Sequence, residues 1–503
     1  MPTQYTIVLE IGDRIGIRNV YDLPPDLAEI LTKKIGVHTN PEVAIKKNMN
    51  FSIWNIPKYI YTRDICMCPD GSYTVYFERG LMSEIKNEIS VYNLKHRQPD
   101  GEPYIKCSQV ISKVKSYPVK WPKFEMTLEE YQKDVCRKAY KMKDGLVCQG
   151  VISLPTGGGK TITASALLGA LGQRTLIVCH TCALVNQWID ALSHKCFGHD
   201  IDIGKIGEGH MTYDAEHVVV ATIQSLNKLI DDEDDSIFQK FGCIVLDECH
   251  HVAAPTFVNI IGRSKAKYRF GLTASLKRKD QKQFLMTDVF GPVIAELSYD
   301  DVGDRVILPY VTPITYQMSP DIIADLYGQR GGQPTFDFVK FYKALSNDEG
   351  RNKLIISKVK ECIDRDDRNY ILVLTKLREH ATYLSEQLNK IAPTGLLLGG
   401  GNPKERDEII AKANKGELRI IVGTSIADEG LDIARMNKLV LCVPTAFVEM
   451  LKQRVGRIAR KCEGKGDPEV IDIIDLDIPQ VLNQWQSRRR AYHKLGMDIH
   501  NSV

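Results

Sequence analysis

Two short stretches hold residue types that do chemistry together. VISLPTGGGKT (Val151–Thr161) ends an apolar run in three glycines, a lysine and a threonine. Glycines let backbone N–H groups turn toward an anion and approach it closely. A helix that starts at the lysine presents its positive end to the same anion. Pro155, Thr156, Gly157, Gly158 and Gly159 would then line a phosphate loop. Lys160 would reach the β- and γ-phosphates, and the Thr161 hydroxyl would ligate Mg²⁺. The general pattern has glycine where this chain has Leu154. A glycine turn that merely precedes a lysine is the alternative.

The second stretch is DECHH (Asp247–His251), in which every residue type can bind metal. Cys249, His250 and His251 are consecutive, whereas zinc ligands are usually spaced so that their side chains converge. The spacing therefore disfavours a transition-metal centre. CIVLDE reads instead as an apolar strand stopping at Asp247 and Glu248. Such a strand delivers both carboxylates to the carboxyl edge of a parallel sheet, where α/β folds bind ligands. There Asp247 would hold Mg²⁺, and Glu248 would orient or deprotonate the attacking water. Cys249 reads as a residue of the turn. CHTC (Cys179–Cys182) has no second CxxC to accompany it and closes another strand, so zinc or redox chemistry is disfavoured there too.

These residues need a scaffold, and the apolar pattern supplies one. From about residue 145, LVCQGVISL, TLIVCH, HVVVATI, CIVLDE and YRFGLTAS alternate with longer helical segments. A second series follows in YILVLT, TGLLLG, LRIIVGTS, KLVLCV and EVIDIIDL. Short β-branched runs between helices predict parallel strands with crossover helices. Two such series predict two tandem doubly wound domains rather than one sheet. The expected division is 1–115, a small α+β accessory domain with possible DNA-binding capacity, then 116–308 and 309–503. DDEDD (Asp231–Asp235) reads as a solvated loop. No task follows for QMSPDIIADLYGQRGGQPTFDF.

The 503 residues carry a net charge of +3, which neither requires nor excludes nucleic acid. Residues 1–120 hold 16 Lys and Arg against 13 Asp and Glu. A simple packaging protein would be more basic. No apolar run approaches the ~18–20 residues of a membrane span, and MPTQYTIVLEIGDR has no signal-peptide pattern. The 13 scattered cysteines fit reduced thiols. Together these features predict an intracellular, cytoplasmic protein.

At this point the sequence resembles a superfamily 2 helicase. LEEYQ is similar to the adenine-side motif, with Gln132 as the matching glutamine and Glu129 where the family usually has arginine. LPTGGGKT matches motif I, CHTCALVNQW motif Ia, TIQSL the later nucleic-acid motif of the first motor, DECH motif II and GLTAS motif III. LVLT resembles motif IV, VGTSIADEGLDI motif V and QRVGRIAR motif VI. The matches run in order over residues 128–460. Within the superfamily the likeness is to the XPB/Rad25-like branch, related to type III restriction motor subunits. GLTASLKRKD resembles that branch's GLTAT and following Arg-Glu-Asp element, here Arg278, Lys279 and Asp280. The segment from NPEVAIKK to FERGLMSEI is similar to an accessory domain that precedes such motors in phage and bacterial proteins, a resemblance that favours a prokaryotic or phage-infected cell.

The resemblance implies two RecA-like motor domains with ATP between them. It implies nucleotide contacts from Gln132, Gly430, Asp432 and Gln453, and arginine fingers at Arg457 and Arg460. Three apart, those two arginines share one face if helical; a basic helix holding phosphate backbone is the other reading. His250, Thr273 and Ser275 would couple the ATP site to motif III. Thr181, Thr222, Gln224, Ser225, Arg278, Asp280, Thr375 and Thr424 would contact nucleic acid, mostly through the sugar-phosphate backbone. Ordinary caps and turns are the competing reading for each hydroxyl. The expected function is an ATP-dependent DNA helicase or translocase, acting in recombination, repair or replication, including branch migration. Its cofactors would be ATP and Mg²⁺, and its partners single-stranded, duplex or branched DNA, bound by a monomer, with recombination or replication proteins as further partners. An RNA helicase, a restriction motor subunit and an ATP-switched DNA clamp are the alternatives. QWQSRRRAYHK, with Arg488–Arg490, reads either as a DNA contact or as a solvated helix.

Overall fold

The computed structural model describes all residues except 1–3, 49–51, 99, 143–144, 232–235, 251–259, 279, 331–332, 400–401, 425–432, 445–447, 460–461, 463 and 501–503. The chain divides into two compact units. One comprises residues 1–154 and 159–297, and the other residues 298–503 with 155–158.

In the first unit, the five apolar runs read from the sequence form strands Cys148–Ser153, Thr175–Cys179, Val218–Thr222, Cys243–Leu246 and Tyr268–Thr273. Every residue in all five is buried, which explains their continuous rather than alternating apolarity. Three further strands complete an eight-stranded sheet. Its order is His210–Met211, Ile203–Gly207, Val218–Thr222, Thr175–Cys179, Cys243–Leu246, Tyr268–Thr273, Cys148–Ser153, Val293–Glu296. All neighbours are parallel except the first pair. The strands Cys148–Ser153, Thr175–Cys179 and Cys243–Leu246 therefore end on one edge. That edge carries the phosphate loop, the CHTC segment and the carboxylate pair.

Residues near the N-terminus form their own five-stranded sheet, ordered Arg63–Met67, Tyr73–Glu78, Arg14–Ile17, Tyr5–Ile11, Ile105–Ser112. It packs on helices Pro25–Lys33 and Met82–Lys95 around a separate apolar cluster. It nevertheless belongs to the first compact unit, and polar groups explain why. Arg79 is fully buried. Its guanidinium donates to Gln149 Oε1 at 2.8 Å and to the carbonyls of Gly12, Ala266 and Lys267 at 3.2, 2.6 and 3.1 Å. Asp288, on helix Phe284–Phe290, accepts from the Thr62 hydroxyl at 2.6 Å and lies 2.6 Å from His38 Nε2. Gly80 meets the same helix so closely that a Cβ there would lie 2.0 Å from the Thr287 carbonyl oxygen. A fully buried guanidinium bonded on four sides fixes an orientation in a way apolar packing alone does not.

The second unit holds a six-stranded, all-parallel sheet. Its order is Tyr310–Tyr316, Glu469–Asp475, Lys438–Leu441, Ile371–Leu374, Ile420–Gly423, Thr394–Leu397. The expected pair of doubly wound domains is thus present, with the small α+β region preceding them. The stretch left without a task folds as helix Pro320–Asp325 and an antiparallel hairpin, Tyr327–Arg330 with Gln333–Phe336. Of the acidic run, Asp231 ends helix Ile223–Asp231 and the rest lies outside the described residues.

The C-terminal basic run requires a correction. Neither reading offered for it holds for Arg488, whose side chain is buried and bonded through Nε and Nη2 to Asp472 at 2.7 and 2.9 Å. Arg489 and Arg490 are exposed. One helical turn thus contains both an interior and a surface arginine, a distinction composition alone does not make.

Candidate nucleotide site and nucleic-acid face

The phosphate loop follows strand Cys148–Ser153. Leu154, at the position usually held by glycine, is fully buried in the core, and its N–H bonds the Thr273 carbonyl at 3.0 Å. Gly157 and Gly159 have φ of 88° and 74°, a left-handed backbone that glycine adopts without strain. Gly159 is the N-cap of helix Lys160–Leu171. A left-handed turn running into a helix N-terminus is the backbone form through which such a loop would hold an anion.

Lys160 faces the carboxylate pair. Its Nζ contacts Glu248 Oε1 and lies 3.6 Å from Asp247 Oδ1. Burial opposes the charge on Lys160, but Glu248 and Asp247 outweigh it and raise the ammonium pKa. Burial likewise opposes the Glu248 carboxylate, and Lys160 with His250 overcomes it, holding the group well below the usual carboxylate range. Glu248 has φ of 51°, left-handed and unusual for a residue with a side chain. Strain of this kind costs on the order of 1–3 kcal/mol and collects at functional sites.

Asp247 is held from three sides. Its N–H bonds the Val178 carbonyl on the adjacent strand at 2.9 Å, its Oδ1 accepts the Glu248 N–H at 2.9 Å, and its Oδ2 accepts the Trp188 indole N–H at 2.9 Å. Trp188 was not among the residues expected to act. The available signal was helical spacing, since Trp188 lies about two turns beyond the cap Thr181 in CHTCALVNQW. Cys249 is fully buried among apolar residues, with Sγ 3.9 Å from Met286 Sδ, and burial raises its thiol pKa. Among the described residues, no group of three His, Cys, Asp or Glu is arranged to hold a metal. Mg²⁺ in nucleotide sites needs no such cage, because one or two protein oxygens with phosphates and waters suffice. Thr161 and Asp247 offer oxygens of that kind.

From Glu248 a polar chain leads along the sheet edge. His250 Nδ1 lies 3.2 Å from Glu248 Oε2 and 3.1 Å from Thr273 Oγ1. The Thr273 hydroxyl donates to the Ser275 carbonyl at 2.8 Å and accepts its N–H at 3.1 Å. Arg278 and Asp280 pair just beyond at 2.8 Å. Two strand ends away, Thr181 caps helix Cys182–Asp190 by accepting the Leu184 N–H at 3.3 Å. Thr222 and Ser225 bond each other at 2.9 Å, and Gln224 Nε2 donates to the His180 carbonyl at 3.1 Å. Gln224 thus ties two expected nucleic-acid segments together.

Other expected residues are placed separately. Gln132 is fully buried. Its Oε1 accepts the Glu129 N–H at 3.0 Å in a capping box, and its Nε2 has no hydrogen-bond partner among the described residues. In the second unit, Thr375 is buried with its hydroxyl 2.7 Å from His380 Nδ1, and Thr424 Oγ1 accepts the Gly399 N–H at 3.4 Å. Arg457 stands half-buried on helix Val448–Ile458, which also carries Gln453. The Gln453 side chain, Gly430, Asp432, Arg460, His251 and Lys279 lie outside the described residues.

Residues 125–278 match the family model "Type III restriction enzyme, res subunit", and residues 354–462 match "Helicase conserved C-terminal domain". Together the two matches span just over half the chain. The chain belongs to the superfamily 2 helicases. The helicase is 26% identical over 406 residues to "DNA 3'-5' translocase XPB2" of Sulfurisphaera tokodaii, covering 75% of this chain and 87% of that protein. It is 28% identical over 353 residues to "Probable helicase D10" of Escherichia phage T5, covering 69% and 72%. Among solved structures, S. cerevisiae Dbp5 bound to RNA and ADP BeF3 superposes with a TM-score of 0.53 at 14% identity, over 73% of this chain and 89% of that one. That likeness shows the fold, two tandem RecA-like domains. The helicase binds nucleic acid and is a nucleic-acid-dependent ATPase. Among the described residues no helix is long and apolar enough to cross a membrane.

Proposed function

We propose that this helicase is an ATP-driven DNA helicase or double-strand translocase that unwinds or branch-migrates DNA in recombination, repair or replication. The observation that carries the reading is the polar chain from Lys160 and Glu248 through His250 to Thr273 and Ser275. It joins phosphate-facing groups to the element containing Arg278 and Asp280, so a change at the nucleotide has a physical route to that element. The resemblance to the XPB/Rad25-like branch favours DNA over RNA.

In this reading the loop Pro155–Gly159, with Lys160, takes the triphosphate, and the buried Gln132 amide meets the base. Thr161 and Asp247 would hold Mg²⁺, which supplies charge neutralisation at the phosphates. Glu248 orients the attacking water and accepts its proton. Gly430, Asp432 and Gln453 complete the nucleotide contacts, and Arg457 and Arg460 serve as arginine fingers. Thr181, Thr222, Gln224, Ser225, Thr375 and Thr424 hold the nucleic-acid backbone. Residues 1–115 act as an accessory domain, 116–308 and 309–503 as the two motors, in a monomeric cytoplasmic enzyme.

The test is ATP hydrolysis with single-stranded, duplex and branched DNA and with RNA, followed by strand displacement on the strongest activator. DNA stimulation is the expected result. Stimulation by RNA alone transfers the assignment to an RNA helicase, and no stimulation by any nucleic acid refutes the motor.

A further inference from the structure

The accessory region carries a feature that neither motor needs. Strands Val37–Thr39 and Tyr59–Tyr61 form an antiparallel hairpin in which His38 opposes Ile60, while Val37 and Thr39 oppose Tyr61 and Tyr59. Side chains alternate between the two faces of a strand. The inner face is committed to the motor. His38 stacks on Phe284 with ring centroids 3.9 Å apart, and Ile60 packs against the motor's apolar cluster. Tyr59 and Tyr61 project from the opposite face, 39% and 55% exposed, with ring centroids 6.4 Å apart. Lys58 Nζ lies 5.2 Å from the Tyr59 ring centroid, and the Arg63 guanidinium 5.2 Å from that of Tyr61. Trp54, on the same connection, is 88% exposed. Residues 41–63 hold four basic residues, Lys46, Lys47, Lys58 and Arg63, against one acidic residue, Glu42. That one acid is engaged by Lys46 at 3.0 Å and Lys282 at 3.7 Å.

Exposed aromatic rings grouped on one face mark an interaction surface. Here each tyrosine ring has a cation beside it, and the excess charge is positive. A protein partner's apolar patch would match the rings but not the cations. Unpaired bases on a phosphate chain match both, by stacking on the rings and placing phosphates near the ammonium and guanidinium groups. The Lys282–Glu42 pair and the His38–Phe284 stack fix this face to the segment that directly follows Arg278 and Asp280. We infer that the outer face of the accessory hairpin, formed by Tyr59 and Tyr61 with Lys58 and Arg63, together with the exposed Trp54 on the connection that leads into it, is a stacking platform for single-stranded nucleic acid leaving or entering the first motor.

This inference rests on the motor reading above, and its test separates the two. Full-length protein is titrated with fluorescein-labelled oligothymidylate, and in a parallel arm oligouridylate, without nucleotide. Intrinsic tryptophan emission is recorded throughout. Trp121 and Trp188 are buried and Trp485 is partly buried, so quenching by bases reports mainly on Trp54. The expected result is quenching that Trp54→Phe abolishes. Tyr59→Ala with Tyr61→Ala should weaken binding at least tenfold, and Tyr59→Phe with Tyr61→Phe should retain it. Hydrolysis without nucleic acid should stay unchanged in all of these variants. Quenching by thymidylate but not uridylate identifies the strand as DNA, and the reverse as RNA; either supports the platform. Wild-type affinity in the double alanine variant, with nucleic-acid-stimulated hydrolysis intact, overturns the platform and leaves the motor standing. Absence of stimulation in the wild-type protein refutes the motor itself.

Discussion

At the end of strand Cys243–Leu246, one lysine faces two carboxylates. Inside the second unit, each of two buried guanidinium groups meets a carboxylate of its own through two hydrogen bonds. Arg351 donates to Asp475 at 2.8 and 3.1 Å, and Arg488 to Asp472 at 2.7 and 2.9 Å, with the Tyr492 hydroxyl adding a bond to Asp472 at 2.9 Å. Both regions hold ions away from water, but the match differs. The bidentate pairs balance charge one to one, and Arg351 and Asp475 are 0% and 1% exposed. The Lys160 cluster carries an excess carboxylate, keeps 15–19% exposure at Lys160 and Glu248, and includes a left-handed Glu248. Buried pairs whose charges balance one to one hold a fold together. An unbalanced, strained and accessible cluster leaves charge to be met, and in the function proposed above a nucleotide and its cation would meet it.

The contrast breaks most directly if a substitution in one region behaves like one in the other. Glu248→Gln should lower nucleic-acid-stimulated turnover by about 10²–10⁴-fold, with the thermal unfolding transition in place. Lys160→Ala should do the same. Arg351→Ala should instead destabilise the protein by about 3–5 kcal/mol, because it strands a buried carboxylate, and Arg351→Met with Asp475→Leu should restore most of that loss. Steady-state hydrolysis and denaturant titration of all four variants check both halves. A folded, fully active Glu248→Gln protein would mean that the cluster is structural too.

Acid sharpens the comparison next. His380 lies near Arg351, with Nδ1 2.7 Å from Thr375 Oγ1 and Nε2 2.8 Å from Asn352 Oδ1. Burial first, and Arg351 second, hold its pKa down at about 4. A neutral ring that accepts from Thr375 and donates to Asn352 fits both contacts. Between its unfolded value near 6.5 and about 4, the unfolded chain binds the extra proton, so stability falls as pH drops through that window. The loss should approach about 3 kcal/mol. His380→Gln should flatten that part of the profile, measured as the pH dependence of the unfolding transition. Glu248 runs the other way in mechanism but not in sign. Its depressed pKa gives stability that is present above the normal carboxylate range and lost only at still lower pH.

A smaller effect is expected at Trp188. Its indole supplies one hydrogen bond to Asp247 Oδ2 without facing the phosphate loop's lysine. Trp188→Phe keeps the ring and removes the donor. The Mg²⁺ concentration for half-maximal hydrolysis should rise about 10–100-fold, as when a residue behind a metal ligand is lost. Maximal rate at saturating Mg²⁺ should change much less. An unchanged Mg²⁺ dependence would make Trp188 a packing residue.

Much of this was legible in the residues. All ten runs became strands, because parallel strands covered on both faces are apolar along most of their length, a pattern that survives without tertiary information; the carboxylates Asp472 and Asp475 inside Glu469–Asp475 are among the exceptions, each met by a buried arginine. Gly157 and Gly159 bend as their composition demanded. What escaped reading was partnership across long sequence separations. The edge strands Val293–Glu296 and Tyr310–Tyr316 lack the continuous buried signature. Arg79 looks like any surface arginine until Gln149, Gly12, Ala266 and Lys267 surround it. Trp188 reads as core until it meets Asp247 from 59 residues away.

The smallest expected effects, at Arg489 and Arg490, test that same lesson inside one helical turn. Arg488, Arg489 and Arg490 are indistinguishable as letters, and a surface basic helix would treat them alike. The helix Pro479–Lys494 turns Arg488 toward Asp472 and leaves its two neighbours in water. Arg488→Met should therefore destabilise the second unit by several kcal/mol, on the order of a broken buried pair. Arg489→Gln and Arg490→Gln should each stay within about 0.5 kcal/mol of wild type. If either exposed arginine also lies on the nucleic-acid track, its substitution will lower the salt dependence of binding by about one phosphate contact while stability stays put. Measuring both quantities on the three variants separates an arginine that holds the sheet together from one that touches a strand.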